Sequence, residues 1–402
     1  MHKSFQGYLR PDGSAGTRNY VLVLPVNRTL NFIASNVTAM LNGCRYFEIP
    51  ADGGRTENDR MTIARTMTGL INNPNVGGVL LLAVKPDFGY KNMSPDFFLD
   101  EVKKTGKPWC SVVLSECGGA YNMLGEALKV GRRLSCTVSE FRRELCDISK
   151  LRVAVKCGMS DATSGLAGNP TVGRMFDTVV SQGGTAFFSE TTEIIGAEHI
   201  LAKRAITTEV AQSLLNAAWR WEEKAKSTGE DIRKINPIPS NIAAGLTTLE
   251  EKSLGAIAKS GTSPISGVLK YGERPPGKGL YFVDAWMSSL SLPLCFAACG
   301  ANIIMYQMGG GDMAEKYPMM PAINPTIVTP WMYLTGNKHT YDKAPDSIDF
   351  NSSSVLEGSA SLEEMGSDLL DYIINIASGT FTKMEALNYQ EQVEVLMEGP
   401  FL

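Results

Sequence analysis

Short and almost wholly apolar runs alternate with longer runs in which apolar residues recur every three or four positions. In the first part of the chain the apolar runs predict buried β-strands at residues 20–26, 46–49, 79–84 and 109–114. Helical periodicity follows from residue 30, from about 58 to 71 and from about 121 to 146. Such alternation is typical of βαβ units around a parallel sheet, so residues 1–150 are predicted to form one doubly wound, Rossmann-like α/β lobe.

The alternation starts again at residue 151. Apolar runs predict strands at residues 151–155, 185–188, 280–283 and 302–306, and strong helical periodicity returns at residues 208–226 and 362–377. Residues 318–351 are rich in Pro, Asn, Asp and Thr and show little periodicity. We therefore predict a second doubly wound parallel-sheet lobe, residues 151–402, of the same α/β class and with an irregular C-terminal segment of extended loops and helices.

The composition is that of a globular protein. Of the 402 residues, 44% are apolar and 20% are charged, and the net charge of -4 gives no electrostatic reason to expect nucleic acid or an anionic membrane as a partner. The amino terminus lacks an apolar stretch behind a basic start, and no run approaches the roughly 18 apolar residues of a membrane span. Eight cysteines in so long a chain do not indicate a disulfide framework. These features predict a cytoplasmic protein that binds a small molecule or another chain.

Polar residues gather where the predicted strands of the second lobe end. The strand at residues 151–155 is followed by a polar loop and a helix start, and the strand at residues 185–188 is followed by two acids. The candidates at these two strand ends are Cys157, Ser160, Asp161, Ser164, Asn169, Glu190 and Glu193. Because the carboxyl ends of neighbouring parallel strands meet at one edge of a sheet, we expect five of these side chains to face one crevice, those of Cys157, Ser160, Asp161, Glu190 and Glu193.

Two cations stand beside turn and cap signals. Arg18 and Asn19 lie directly before the first strong strand, and Arg18 either caps nearby carbonyl groups or captures a substrate carboxylate with its two-pronged guanidinium. Lys252 follows Glu250 and Glu251 at a helix start, where a capping box explains the two acids but not the lysine. We expect Lys252 to offset negative charge that develops during a reaction.

Two common classes of site are disfavoured. The glycine tract at residues 309–312 could wrap an anion, but it lacks the Gly-Lys-Ser/Thr ending of a nucleotide-binding P-loop, and residues 53–54 lack the full dinucleotide fingerprint. A Ser-His-Asp hydrolase would depend on His199 or His339, and the chain lacks the Gly-x-Ser-x-Gly elbow. Carboxylates beside a lysine or arginine instead suit elimination from a hydroxy acid. That reaction needs a base, a cation for the enolate-like intermediate, and help for the leaving group.

Four segments carry a resemblance to a known family. They are GYLRPDGSAGTRNYVLVLP (residues 7–25), KCGMSDATSGLAGNPTVGRMFD (156–177), SETTEIIGAEHILAKRA (189–205) and AAGLTTLEEKSLGAIAKSG (243–261). In this order they resemble the large catalytic region of the altronate and galactarate dehydratase family. The resemblance implies lyases that remove water from sugar acids to give 2-keto-3-deoxy acids, usually with a divalent metal such as Fe²⁺. A related member, sulfolactate sulfo-lyase, expels sulfite from a three-carbon acid.

The resemblance also bears on partners and on the metal. In the family a small SAF-type domain precedes this region or forms a separate subunit, and this chain starts at the first motif, so a small SAF-domain subunit is a candidate partner. Three places where the family pattern has cysteine or histidine are occupied here by Arg28, Arg55 and Lys85. We interpret these cations as neutralising an anionic group of the substrate, because positive charge opposes a metal at the same positions.

Together these observations predict a lyase that eliminates water from a sugar acid or small hydroxy acid. In this interpretation Asp161, Glu190 and Glu193 are candidate bases or metal ligands, Lys252 stabilises the transition state, and Arg18 holds the substrate carboxylate. The other predicted substrate contacts are Asn19, Arg28, Arg55, Lys85, Cys157, Ser160, Ser164 and Asn169. A sulfo-lyase acting on 3-sulfolactate and a non-catalytic acid-binding relative are the alternatives. We also expect a homo-oligomer.

Overall fold

Two parallel β-sheets, one on either side of residue 150, organise the chain. A computed structural model describes residues 3–51, 53–85, 90–310, 323–387, 389–390 and 393–402, so Gly311 and Asp312 of the predicted glycine loop lie outside it. The strands are β1 (Ser4–Leu9), β2 (Ala15–Gly16), β3 (Tyr20–Pro25), β4 (Cys44–Tyr46), β5 (Val76–Ala83), β6 (Trp109–Val113), β7 (Glu144–Asp147), β8 (Arg152–Gly158), β9 (Thr185–Phe188), β10 (Ile265–Lys270), β11 (Gly279–Asp284), β12 (Ile303–Met308), β13 (Trp331–Thr335) and β14 (Phe350–Asn351).

The α-helices of the described residues lie between and after these strands. They are α1 (Asn31–Met40), α2 (Glu57–Asn72), α3 (Pro95–Lys104), α4 (Leu114–Cys117), α5 (Ala120–Ser139), α6 (Asn169–Ser181), α7 (Glu198–Ala202), α8 (Thr208–Ser227), α9 (Ile232–Ile235), α10 (Pro239–Ala243), α11 (Leu249–Ile257), α12 (Leu292–Cys299), α13 (Lys338–Lys343) and α14 (Leu362–Ala377). None of these helices is both long and apolar enough to span a bilayer.

The first sheet has the strand order β4-β3-β5-β6, and all its strands run parallel. β5 is buried along its whole length, as expected of a central strand with helices over both faces. Leu80 and Leu82 pack with α1 and α5 on one face, and Leu81 packs with α2 and α3 on the other. The doubly wound arrangement predicted for the first lobe is therefore confirmed.

The second sheet has seven parallel strands in the order β10-β11-β9-β8-β12-β13-β14. On one face α6 and α14 pack over a core that includes Phe188 and Met305, and the fully buried α12 covers the other face. The chain passes from β8 to β9 on one side, whereas β12 lies on the other side of β8. The strand order thus reverses at β8, and open α/β sheets bind ligands at the carboxyl ends of strands beside such a reversal.

The two sheets share one hydrophobic core. Helix α12 of the second lobe packs on α2 of the first, and at their crossing a Cβ atom on Gly69 would lie 2.3 Å from the carbonyl oxygen of Ala298. Only glycine permits so close an approach of two backbones. The end of the chain also returns to the first lobe, where Asp59 accepts hydrogen bonds from the backbone N–H groups of Glu398 and Gly399. The division of the chain at residue 150 stays a prediction.

A small antiparallel sheet is the main departure from the sequence patterns. β1 pairs with β2 and with β7, and β7 takes up residues that the periodicity assigns to a helix ending near residue 146. Helix α5 ends at Ser139 instead, and Cys146 is buried beside Phe5 in the β1–β7 pair. Strand β13 lies within the stretch predicted to be irregular.

Candidate active site

The loop that follows β8 is held in one shape by Asp161. Its Oδ1 atom accepts hydrogen bonds from the backbone N–H of Ser164 at 3.0 Å and from Oγ1 of Thr163 at 2.6 Å. Its Oδ2 atom accepts a hydrogen bond from Nδ2 of Asn337, the residue before α13, at 3.0 Å. A π-helical turn, Ser164–Gly168, then leads into α6, and single turns of this kind are frequent at functional sites. The Asp161 carboxylate is therefore fixed at the carboxyl end of the second sheet.

A cavity of about 330 Å³ lies beside this loop. Leu166, Leu246 and Leu254 form part of its lining. The predicted site residues that line it are Ser160, Asp161, Ser164, Asn169 and Lys252. Asn169 is almost fully buried in the cavity wall, and its Oδ1 atom is a buried acceptor with no hydrogen-bond partner among the described residues. The structure thus brings together five of the residues predicted from the sequence.

Lys252 connects the cavity to a buried cluster of one thiol and two carboxylates. Sγ of Cys157 lies 3.1 Å from Oε2 of Glu193 and 3.4 Å from Oε2 of Glu190. The backbone N–H of Cys157 donates to the same Glu190 oxygen at 3.0 Å. Glu190 has a φ angle of 77°, in the left-handed region that non-glycine residues rarely adopt. Such strained positions occur at functional sites, and here the strain accompanies the turn that brings the carboxylate to the end of β8.

Three lysine ammonium groups lie among these acids. Nζ of Lys259 donates to Sγ of Cys157 at 3.0 Å and to Oε2 of Glu190, and it lies 3.8 Å from Oε2 of Glu193. Nζ of Lys156 lies 3.3 Å from Oε1 of Glu190. We call the thiol, the two acids and the three lysines together the lysine–acid cluster: Cys157, Glu190, Glu193, Lys156, Lys252 and Lys259.

Lys252 is the member of the lysine–acid cluster that reaches the cavity. Its Nζ atom lies 3.2 Å from Oε1 of Glu193 and donates to the side-chain oxygens of Asn236 at 2.7 Å and Asn241 at 3.2 Å. Asn241 in turn donates to the carbonyl oxygen of Ser160 at 2.9 Å. These contacts join α10 and α11 to the loop after β8, so the ammonium group is fixed at the cavity wall.

Electrostatics keeps Glu193 and Lys259 of this cluster charged. Burial acts to raise the pKa of Glu193, but Lys252, Lys259 and Lys156 outweigh it and hold this pKa at about 2. Burial acts to lower the pKa of Lys259, but its anionic surroundings outweigh that effect and raise it. The pKa of Cys157 is raised well above its ordinary value, first by burial and then by the two carboxylates. At neutral pH Cys157 is therefore a thiol.

The cluster carries a surplus of positive charge. With a neutral thiol, three ammonium groups face two carboxylates, and all six side chains are almost fully buried. A buried surplus charge is costly unless a counter-charge approaches it. The cavity beside Lys252 is the place where an anion could supply that charge. The arrangement therefore suits a small acid as ligand.

The thiol and the two carboxylates also have the spacing of a metal site. One ligand atom from each of Cys157, Glu190 and Glu193 lies within 4.8 Å of the others, and sulfur with oxygen donors is a set that divalent transition metals accept. However, Nζ of Lys259 contacts two of the three donors and lies 3.8 Å from the third. As arranged, the residues hold an ammonium group at this position and do not fit a divalent ion beside it.

Arg18 has a structural role that corrects its predicted contact with substrate. Its Nε and one Nη2 hydrogen bind the carboxylate of Glu385 at 2.7 and 2.6 Å. Its other donors bind the backbone carbonyl oxygens of Thr17, Ile376 and Thr380 at 2.7–2.9 Å. A guanidinium has five N–H donors, and all five are used here. The carbonyl-capping alternative is the one that the structure supports.

The other first-lobe candidates also have partners away from the cavity. Asn19 accepts a hydrogen bond from Arg10 and donates one to the carbonyl oxygen of Val138, at 2.9 and 2.7 Å. Lys85 pairs with Asp96 at 2.9 Å on the surface, and the guanidinium of Arg55 stacks on the ring of Phe401 at 5.3 Å.

Arg28 completes this set of first-lobe candidates. It is exposed at the start of a 3-10 turn, Arg28–Leu30. The lining of the cavity comes from the second lobe, so the predicted meeting of first-lobe cations with second-lobe acids is not made there.

Two lysines of the cluster were not identified from the sequence. Lys259 follows Lys252 by seven positions, two turns of a helix, which places both on one helical face. Lys156 interrupts an apolar strand run, where a charge is rare unless it is paired. Both signals were present in the segments that carry the family resemblance.

A doubly wound α/β sheet with a fixed carboxylate, a fixed ammonium and a small cavity at a strand-order reversal is an arrangement that open α/β proteins use for ligand sites. The chain belongs to the galactarate/altronate dehydratase family. Residues 148–399 match the family model described as D-galactarate/altronate dehydratase, C-terminal, and residues 7–138 match the one described as D-galactarate dehydratase/altronate hydrolase, second domain. The family inferred from the four sequence segments is thus confirmed.

Three relatives of known activity illustrate the family. The chain is 34% identical over 397 residues to (2R)-sulfolactate sulfo-lyase subunit beta of Chromohalobacter salexigens, an alignment that covers 97% of both chains. It is 29% identical to the galactarate dehydratase (L-threo-forming) of Escherichia coli K12, covering 96% of this chain and 76% of that enzyme. It is 27% identical to the altronate dehydratase of Bacillus subtilis 168, covering 97% and 77%. By name, all three relatives are lyases or a lyase subunit.

Proposed function

We propose that the chain is a lyase that cleaves a small 2-hydroxy acid by elimination between C2 and C3. The observation that carries this proposal is that Asp161 and Lys252 line the same cavity at the carboxyl end of β8. One is a carboxylate that can accept a proton, and the other is a cation beside which negative charge can develop. The family's dehydratases and sulfo-lyase support the same class of reaction.

Asp161 acts as the base in this proposal. Its carboxylate takes the proton from C2, and the C2–H electron pair is first delocalised onto the substrate carboxylate as an enediolate. That pair then forms the C2=C3 double bond as the C3 substituent leaves with its bonding electrons. The resulting enol then takes up a proton at C3, loses its hydroxyl proton and becomes a 2-keto acid. The hydrogen bonds from Ser164, Thr163 and Asn337 fix the orientation of Asp161, which reduces the reorganisation needed at each turnover.

Lys252 acts through its charge. Its three N–H groups already face Asn236, Asn241 and Glu193, so it attracts the substrate carboxylate electrostatically and stabilises the enediolate formed when C2 loses its proton. The surplus positive charge of the lysine–acid cluster adds to this effect. Asn169, in the wall of the same cavity, is the proposed contact for a substrate hydroxyl group.

We infer that sulfite is the first candidate for the leaving group and water the second. Sulfite is supported by the similarity to the sulfo-lyase subunit, which extends over 97% of both chains. Water, the leaving group favoured by the sequence analysis, is supported by the similarity to the two dehydratases, over 76–77% of their length. A cavity of about 330 Å³ has room for a three-carbon or a six-carbon acid. Removal of the proton from C2 is the same step for both leaving groups.

A second subunit is part of the proposal. The relative from Chromohalobacter salexigens is named as a subunit beta, and the two dehydratases have about a quarter of their length outside the alignment. We propose that a small chain, of the SAF type expected from the family resemblance, assembles with this one, and that the complex contains more than one copy of each. Co-expression with neighbouring short reading frames, followed by size-exclusion chromatography, tests this assembly.

A turnover screen tests the proposed reaction. The purified chain, with and without the co-expressed small chain and with and without Fe²⁺, is incubated with (2R)-3-sulfolactate, altronate and galactarate. We expect 2-keto acid and, from sulfolactate, an equal amount of sulfite. D161N should lower kcat by about 10²- to 10⁴-fold, as loss of a general base does. K252M should lower it by about 10²- to 10³-fold, as loss of charge stabilisation does.

The exposed pair Lys338–Asp342 provides matched controls, since its groups lie 2.9 Å apart on the surface. K338M and D342N should leave kcat unchanged. Binding of these acids, seen as a thermal shift, without any 2-keto acid under all conditions would favour the non-catalytic alternative.

A further inference from the structure

The lysine–acid cluster holds the ammonium group of Lys259 among three groups that are typical metal ligands. Cys157, Glu190 and Glu193 supply a sulfur and two carboxylates within 4.8 Å of one another, and each side chain is no more than 3% exposed. A set of three such donors in a dry pocket would bind a divalent transition metal if the space between them were free. In this chain Lys259 contacts that space.

Nζ of Lys259 makes the contacts that a metal ion would make. It lies 3.0 Å from Sγ of Cys157 and 3.8 Å from Oε2 of Glu193, and it binds Oε2 of Glu190 directly. Lys259 itself is 1% exposed, so its ammonium group is out of contact with bulk water. The 3-10 turn Ala258–Ser260 directly follows α11 and fixes the backbone of this lysine.

Two further ammonium groups lie close to the remaining carboxylate oxygens, although Oε1 of Glu190 receives no hydrogen bond from the described residues. Oε1 of Glu190 lies 3.3 Å from Nζ of Lys156, and Oε1 of Glu193 lies 3.2 Å from Nζ of Lys252. A divalent ion at this point would add two positive charges to a site that already has three cations for two carboxylates. Like charges at such distances repel strongly where burial excludes water.

We propose that the ammonium group of Lys259 is the resident cation of this cluster and takes the place of a divalent metal ion. The cluster then orients Lys252 toward the cavity through Glu193 without a metal. Lys259 is a positioning residue in this arrangement, since it touches the acids and not the cavity. This inference does not depend on the proposed lyase reaction, because its test measures metal binding and not turnover.

Removal of the lysine should turn the cluster into a metal site. In K259A the ammonium is replaced by open space between one thiol and two carboxylates, and a metal ion that enters can displace the thiol proton of Cys157. Co²⁺ is the probe, because a cobalt–thiolate bond gives a near-ultraviolet charge-transfer absorption that cobalt bound only to oxygen lacks. We expect K259A to bind about one Co²⁺ per chain with this absorption. K259A/C157S should lack the absorption.

Metal binding by the wild-type chain tests the proposal without requiring that a variant folds. We expect it to bind no stoichiometric Co²⁺ with thiolate absorption and to purify without tightly bound Fe or Zn at this cluster. One equivalent of Co²⁺ in the wild type, with an absorption that C157S removes, would overturn the proposal. A K259A variant with wild-type circular dichroism that takes up no Co²⁺ would overturn it as well.

Discussion

The variant K259M removes a buried charge while keeping a side chain of similar length. The ammonium it deletes lies among Cys157, Glu190 and Glu193, in a place that water does not reach. Loss of one partner of a buried ion pair costs about 3–5 kcal/mol, because the other charge is left uncompensated. Glu190 keeps Lys156 at 3.3 Å and the backbone N–H of Cys157 at 3.0 Å. K259M, however, leaves two lysines for two carboxylates, so we expect the free energy of unfolding to fall by less than this, about 2 kcal/mol, as for loss of a hydrogen bond to a charged group.

A double-mutant cycle separates this charge effect from packing. E190Q removes the carboxylate charge and keeps its shape. It leaves Lys259 with Glu193 at 3.8 Å and takes from the buried Lys156 the carboxylate that lies 3.3 Å away, so we expect a loss of about 3–5 kcal/mol. In K259M/E190Q both members of the Lys259–Glu190 pair are gone, and the loss that remains is that of the carboxylate beside Lys156. The double variant should therefore lose about as much as E190Q alone, about 3–5 kcal/mol, and not the sum of the single losses, which is a coupling energy of about 2 kcal/mol.

Urea unfolding at pH 7 measures these values as shifts in the transition midpoint at constant m. K338M is the matched control, because Lys338 and Asp342 form an ion pair whose side chains are 60% and 53% exposed, respectively. Its stability should stay within about 0.5 kcal/mol of wild type. Single losses that add in the double variant, or a K259M as stable as the control, would refute the view that buried charges hold this cluster together.

Three further predictions test other parts of the fold. In G158A the new Cβ atom would lie 2.0 Å from Oη of Tyr306, so thermal unfolding should show a fall of about 1–3 kcal/mol in the free energy of unfolding. G125A is the control, because its new Cβ atom would lie in open space and make no clash. E385Q leaves the guanidinium of Arg18 without its carboxylate and should lower the free energy of unfolding by about 3 kcal/mol. The kcat/KM of the folded protein should be unchanged. A fall in kcat/KM without a loss of stability would instead support a contact between Arg18 and the substrate. Burial raises the pKa of Asp349 from 3.8 to about 6, so its stabilising contribution is complete below pH 4 and is lost as the pH rises through about 6. The loss should reach about 3 kcal/mol and be absent in D349N, which pH-dependent urea unfolding of the two proteins would show.

The sheets could be predicted because their strands are almost purely apolar. β5 and β8 are central strands buried on both faces, and that environment produces a run that periodicity reads directly. β7 is different, since only Cys146 of its four residues is buried. Its pattern resembles the end of the amphipathic α5, and the pairing with β1 that decides its structure involves residues about 140 positions away. Local patterns do not contain that information.

The candidate site was predicted where strand ends bring residues together and was missed where tertiary contacts do so. Asp161 and Asn169 follow β8 closely, so the sheet itself places them at the cavity. Lys259 reaches the cluster through a helix 102 positions after Cys157, and only the packing of α11 against that strand end makes the contact. Arg18 shows the opposite error, because its carboxylate partner, Glu385, lies 367 positions later in the chain.

Hydrogen exchange at C2 of the substrate tests the central claim most directly. With the acid that the turnover screen identifies, wild-type protein in D₂O should give 2-keto acid, and unreacted substrate with deuterium at C2 wherever the proton returns before the leaving group departs. D161N should lower both the exchange at C2 and the release of product by at least about 10²-fold, with substrate binding retained. Exchange and product release at wild-type rates in D161N would contradict the claim that Asp161 is the base at the end of β8.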